Sequence, residues 1–139
     1  MIVAKQEITD YIPQRAPMIM VDGLLSVDEN SAKTCFSIQQ HNIFVSENCL
    51  SESGLIEHIA QSAALLAGYG LRKAGNAVPV GYIAAVKDLF IYFLPEVNEE
   101  LTTRIDVVNT VFDFTIIKAE VMCRNLVVAA CEMKIYSKG

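Results

Sequence analysis

The run Ser53-Gly54-Leu55-Ile56-Glu57-His58-Ile59-Ala60-Gln61-Ser62-Ala63-Ala64-Leu65-Leu66-Ala67-Gly68 is apolar on nearly every side of a helix rather than along one stripe. Such a helix needs cover around most of its circumference. The rest of the chain offers strands to supply it. Residues 18–28 are dense in Ile, Met, Val and Leu, and after the turn signal Asp28-Glu29-Asn30-Ser31 a returning strand spans 33–38. Residues 8–17 carry Pro13 and Pro17, which fits a short helical turn or an extended lead-in, and 39–53 is polar and irregular. Ser53 or Ser51 suits the helix N-cap, and Gly75-Asn76 suits its stop after Lys73. Four further strand-forming runs cover 80–94, 100–109, 114–123 and 127–136, joined by 109–113 and by the short Arg124-Asn125 turn.

Two strands, one long apolar helix and about four strands predict an α+β domain in which an antiparallel sheet curls around the helix. A second subunit would cover the side left open. At 139 residues the chain has room for one domain, 1–139. A formal net charge of −5, with no run of Lys or Arg interleaved with aromatics, argues against nucleic acid. No stretch approaches the length of a membrane span. Residues 1–7 show no basic region followed by an apolar run, so the expected location is the cytoplasm. Cys35, Cys123 and Cys131 read as small strand hydrophobes in a reducing compartment. The two histidines have no cysteine near them in a ligand spacing, so neither a metal nor another cofactor is expected.

Glu57 is the residue in that helix that packing does not explain. Burying a carboxylate costs several kcal/mol unless it is paired or neutralised. At about 100° per residue, Gly54, Glu57, Gln61, Ala64 and Gly68 share one narrow stripe. The small residues at both ends would leave room beside the carboxylate for something other than protein. Gln61, one turn on, can orient it through a hydrogen bond. His58 projects about 100° away. The helix-start amides of Gly54 and Leu55 can face a developing oxyanion. A carboxylate held in apolar surroundings near such donors suits proton abstraction next to a carbonyl. The bland alternative is that Glu57 caps backbone or pairs with an arginine across a dimer interface. Cys49, in the loop before the helix, is a weaker candidate for a thiol activated by the helix dipole.

Three segments resemble one family. Ile12-Pro13-Gln14-Arg15-Ala16-Pro17-Met18-Ile19-Met20-Val21-Asp22 is similar to the "LPHRxPxxxVD" motif of the 3-hydroxyacyl-acyl-carrier-protein dehydratases. Glu57-His58-Ile59-Ala60-Gln61 resembles their "EAMAQ" helix motif, and Gly81-Tyr82-Ile83-Ala84-Ala85-Val86-Lys87-Asp88-Leu89-Phe90 their "GIDKARF" strand. The resemblance implies the hot-dog fold, a homodimer or higher homo-oligomer, and a thioester pocket at the subunit interface with the acyl chain beside the helix. It implies a substrate carried on acyl carrier protein, within fatty-acid or polyketide-like synthesis. Glu57 would then be the acid/base that helps expel the 3-hydroxyl as water, with Gln61 as its orienter and Gly54 or Leu55 as the carbonyl donor.

The family's "GHFP" and "MPG" motifs are not intact over residues 41–54, where His41 lies slightly upstream of the family's catalytic histidine. Gln14, a substrate-binding candidate, stands where the family carries His; it cannot transfer protons at neutral pH but can hydrogen-bond a carbonyl. His41 and His58 are therefore the candidates for the second catalytic group. Two other functions fit the same residues: a hot-dog thioesterase, whose helix carboxylate directs water at the carbonyl, and a catalytically silent acyl-carrier-binding module.

Overall fold

The computed structural model describes residues 1–137. A short 3-10 helix over Lys5–Asp10 precedes strands β1 (Gly23–Val27) and β2 (Ser31–Ser37). A small hairpin of β3 (Val45–Ser46) and β4 (Cys49–Leu50) leads into helix α1 (Glu52–Lys73). Strands β5 (Gly81–Ile91), β6 (Glu100–Val111), β7 (Phe114–Cys123) and β8 (Leu126–Ser137) follow. The main sheet is antiparallel in the order β1-β2-β6-β7-β8-β5, and α1 touches all six strands. This is the α+β wrap that an all-round apolar helix demands. α1 is not long and apolar enough to cross a membrane, nor is any other described helix.

Strand alternation produces the core. Leu101, Thr103 and Ile105 of β6 and Ile117, Ala119, Val121 and Cys123 of β7 point inward beneath Leu55 and Ile59 of α1. Full burial of each large aliphatic side chain contributes about 1.5–3 kcal/mol. Cys35, Cys123 and Cys131 are free, buried strand residues of this kind, and burial raises the pKa of each thiol. A second cluster, including Ile8, Ile12, Val21 and Leu65, fastens the N-terminal segment to the helix.

Two buried polar pairs fix the helix against the sheet. His58 Nε2 lies 2.7 Å from Thr103 Oγ1, and Ser62 Oγ lies 2.7 Å from Thr34 Oγ1. Thr34 and Thr103 face each other across β2 and β6. Residues one helical turn apart thus meet residues one strand apart, so sliding α1 would strand four buried polar groups. The outer face carries a charge row, Asp106–Lys118–Glu132–Lys87, running through directly opposed residues of β6, β7, β8 and β5. Opposite charges directly across strands stabilise the pairing modestly.

The structure departs from sequence expectation in three places. Residues 18–22 precede β1 instead of extending it, because helix side chains take up the backbone groups of Met18 and Met20. Residues 39–53 contain the β3–β4 hairpin, turned by Glu47 and Asn48 at φ 51° and 65°. With no glycine in it, that turn carries little sequence signal. The β6–β7 connection is a tight turn at Phe112 and Asp113, with Val111 facing Phe114, rather than a five-residue loop.

Gly68 shows how closely the N-terminal segment lies on α1: a Cβ there would come within 1.9 Å of the Tyr11 carbonyl oxygen. Gly68→Ala is expected to destabilise the fold by about 2 kcal/mol or more. Gly70→Ala, where a Cβ meets nothing within 4 Å, is expected to stabilise it by roughly 0.5–1 kcal/mol. Urea denaturation midpoints moving in opposite directions would bear this out; equal midpoints would refute the close approach.

Candidate functional site

Ser51, not Ser53, caps α1: its side chain accepts from the Gly54 amide at 3.2 Å, and its carbonyl accepts from the Leu55 amide at 3.0 Å. That placement corrects the expectation of an oxyanion hole there. The amides of Gly54 and Leu55 both have partners within the first helical turn. Nor does Gly54 open space beside Glu57, since a Cβ there would meet Leu50 and Phe44 at 2.6 and 2.8 Å. Gly68 is filled likewise, by Tyr11. Of the small residues on the stripe, only Ala64 faces open volume beside Glu57.

Glu57 is half-buried, not fully buried, and its Oε2 accepts a hydrogen bond from Gln61 Nε2 at 2.7 Å. Gln61 is fully buried and completely engaged. Its second N–H donates to the Met18 carbonyl at 2.7 Å, and its Oε1 accepts from the Met20 amide at 2.6 Å. The Gln61 carboxamide is thereby locked by backbone on one side, and it locks Glu57 on the other. Replacing it with an apolar residue would free the carboxylate and orphan the buried Met20 amide and the partly buried Met18 carbonyl.

The carboxylate faces a cavity of about 230 Å³ lined by Gln14, Glu57, Ala60, Ala64, Gly81, Tyr82, Ile83 and Ile135. Gly81, Tyr82 and Ile83 belong to β5, the edge strand, so this wall lies at the open side of the sheet. Ala64, Gly81 and Ile135 also line a smaller, largely apolar cavity of about 110 Å³ between α1 and the sheet, together with Ala63, Leu66, Ile105 and Ile117. The cavity beside the carboxylate and the apolar one thus share three of their walls. The Gly81 segment, similar in sequence to a family strand, thus supplies a wall of the site. Its small first residue, beside long apolar ones, was the available signal.

Gln14 reaches the cavity on a tightly held turn. The Arg15 guanidinium donates to the carbonyls of Ile12 and Gln14, both at 2.8 Å, and the Met18 amide returns to the Arg15 carbonyl at 2.9 Å. Gln14 Oε1 is shielded from solvent and has no hydrogen-bond partner.

Neither histidine joins Glu57. His41 is exposed and lines a separate cavity of about 370 Å³ with Lys5, Ala16, Pro17, Asp22 and Phe36. His58 is fully buried in the core, against the expectation that it offers a catalytic group. Its Nδ1 donates to the Met20 carbonyl at 2.6 Å, Nε2 accepts from Thr103, and Phe36 stacks on the ring at 5.5 Å. A carbonyl can only accept, so Nδ1 carries a proton, and burial, which disfavours the charged ring, leaves Nε2 unprotonated as the acceptor. Burial lowers its pKa to about 4, with the Met20 hydrogen bond acting in the opposite direction. Cys49 lies in β4, bridged to Glu96, and lines none of these three cavities.

Comparison with known proteins adds to this geometry. The model of the ApeP-like family, described as ApeP dehydratase, matches residues 6–138. No curated protein matches significantly. Among solved structures, the dehydratase heterocomplex ApeI:P from Xenorhabdus doucetiae superposes with a TM-score of 0.88 at 16% identity, over 95% of this chain and 91% of the other. The PaaI protein of the E. coli phenylacetic acid degradation operon gives 0.64 at 14% identity, over 81% and 80%. A hypothetical thioesterase from Streptococcus pneumoniae TIGR4, solved with coenzyme A, gives 0.66 at 8% identity, over 84% and 88%. These likenesses establish the hot-dog fold.

The buried imidazole makes stability depend on pH with a definite sign. Above the ordinary histidine pKa of about 6.5 both folded and unfolded states hold His58 neutral. As pH falls from there to about 4, the unfolded state takes up a proton that the folded state refuses. Stability at this site is therefore complete above pH 6.5 and falls by about 3 kcal/mol towards pH 4, at 1.36 kcal/mol per unit. Urea denaturation at stepped pH should show that loss in the native chain and a smaller one in His58→Gln. Equal slopes would refute the assignment.

Proposed function

The chain belongs to the ApeP-like dehydratase family, and from that premise we propose that it acts on 3-hydroxyacyl thioesters carried on acyl carrier protein. The supporting observation is the locked Glu57–Gln61 pair facing a cavity that shares walls with an apolar one. A carboxylate with a fixed orientation is suited to move a proton at the carbons next to a thioester. The acyl chain has the volume between α1 and the sheet to enter. Gln61 holds the acid/base, and protonated Glu57 returns its proton to the departing 3-hydroxyl, which leaves as water.

Glu57 has no imidazole beside it within its own chain. We infer that a second subunit supplies the missing group. The β5 wall of the cavity lies on the sheet edge, where another hot-dog chain can pair, and Tyr82, Phe90 and Tyr92 at that edge are exposed by 61%, 58% and 64%. His41 of a second copy is one source. The heterocomplex formed by the ApeI:P relative supports another, a different dehydratase-like chain. The thioesterase reading is favoured by one observation, that a lone oriented carboxylate is sufficient to direct water.

Mass spectrometry of the assembled protein incubated with 3-hydroxyacyl carrier protein separates these outcomes. Loss of water from the acyl group is expected, and release of free acid would establish hydrolysis instead. Retention of an unchanged ligand would mark a binding module. Glu57→Gln should lower turnover by about 10²–10⁴-fold with an unchanged urea midpoint. Full activity in that variant would remove Glu57 from the mechanism.

A further inference from the structure

We propose that the outer face of the main sheet is a second interface, on which two copies of this chain pack back to back. The two-fold axis relating them runs along the strands, between β7 and β8. This contact is separate from any pairing at the β5 edge. Edge pairing joins strands in the plane of the sheet and leaves its outer face open.

The charge row on that face is self-complementary. Asp106, Lys118, Glu132 and Lys87 stand directly opposite one another on β6, β7, β8 and β5, so the signs run minus, plus, minus, plus. The midpoint of the row lies between β7 and β8. A half-turn about an axis through that midpoint, parallel to the strands, reverses the strand order and keeps the row in place. Lys118 of one copy then lies over Glu132 of the second, and Asp106 over Lys87. A two-fold makes each of these contacts twice. A row symmetric about its midpoint would set like charges on each other instead; this one is antisymmetric. Complementary charges of this kind fix partner and register.

The same half-turn lays an apolar end of the face on itself. Nearer the β6–β7 turn, Val111, Phe114, Tyr136 and Tyr82 form another row of directly opposed residues. Phe114 packs on Tyr136 with ring centroids 5.3 Å apart, and the exposed Lys134 lies 4.2 Å over the Phe114 ring, which puts these rings on the outer face. The rotation sets Phe114 over Tyr136 of the second copy and Val111 over Tyr82. Phe112, at the turn itself, is 95% exposed. Apolar burial here supplies affinity, and the charge row supplies orientation. The size also fits. Strands β5 to β8 are 10–12 residues long, so their face spans roughly 600 Å² at about 4.8 Å between strands and 3.4 Å per residue. A standard interface takes about 800 Å² of accessible surface from each partner. Sheets packed face to face hold their strands within about 30° of each other, so Lys118 and Glu132, beside the axis, stay in reach despite twist.

The test is a charge swap, read by sedimentation velocity and native mass spectrometry of the purified protein. Lys118→Glu sets like charges on both sides of the axis and is expected to halve the mass of the assembly. Lys118→Glu combined with Glu132→Lys exchanges the two signs, restores opposition across the axis, and is expected to return the native mass. Asp106→Lys, alone and combined with Lys87→Asp, repeats the loss and the rescue at the ends of the row should either central variant fail to fold. A mass that Lys118→Glu leaves unchanged overturns the proposal. So does a loss that the swap does not reverse, which would mean that some other surface meets this face. Neither result touches the thioester reading, which rests on residues on the inner side of the sheet.

Discussion

Three hydrogen bonds between helix side chains and the backbone of Met18 and Met20 hold this structure in its working form. Gln61 takes the Met18 carbonyl and the Met20 amide, and His58 takes the Met20 carbonyl. In an ordinary sheet these groups would pair with a neighbouring strand. Here α1 serves as that neighbour, so the N-terminal segment docks on the helix instead of extending β1. The docking carries Gln14 to the cavity, and the same Gln61 carboxamide fixes Glu57. Fold and site share a single clamp.

The two histidines show how position, rather than residue type, decides chemistry. His58 sits next to Glu57 in the chain, yet helical geometry turns it into the core, where burial keeps it neutral and a carbonyl and a threonine fix its ring. Its role is to key the helix to β6. His41 is free and exposed but faces another cavity. Within one chain, Glu57, bonded to Gln61, shares its cavity with Gln14 and with neither imidazole.

Much of this was legible in the sequence. The all-round apolar helix dictated a wrapping sheet, and the runs at 114–123 and 127–136 match β7 and β8 to within a residue. Glu57 and Gln61 were marked by their types and spacing and Gln14 by the family resemblance; the structure bonds the first two and sets Gln14 on the same cavity as Glu57. What escaped depended on distant contacts. The small-residue stripe suggested open space, but Gly54 and Gly68 are small because Leu50, Phe44 and Tyr11 press on them. The helix-start amides looked free because two serines competed for the cap, and only the fold shows Ser51 holding it. Residues 18–22 have strand composition but find their partners on a helix forty residues away, which no local pattern encodes.

The charge row on the outer face has a consequence for how the chain survives in a crowded solution. Asp106, Lys118, Glu132 and Lys87 alternate in sign and end on β5, an edge strand otherwise rich in exposed apolar side chains. Stacking identical copies in register, as amyloid does, would set Lys87 on Lys87 and Asp88 on Asp88 along the whole fibril. Asp88 also stands at φ 54° within a break in register, so the edge is bent as well as charged. A sticky border that a cognate strand can satisfy is in this way closed to endless repetition of itself.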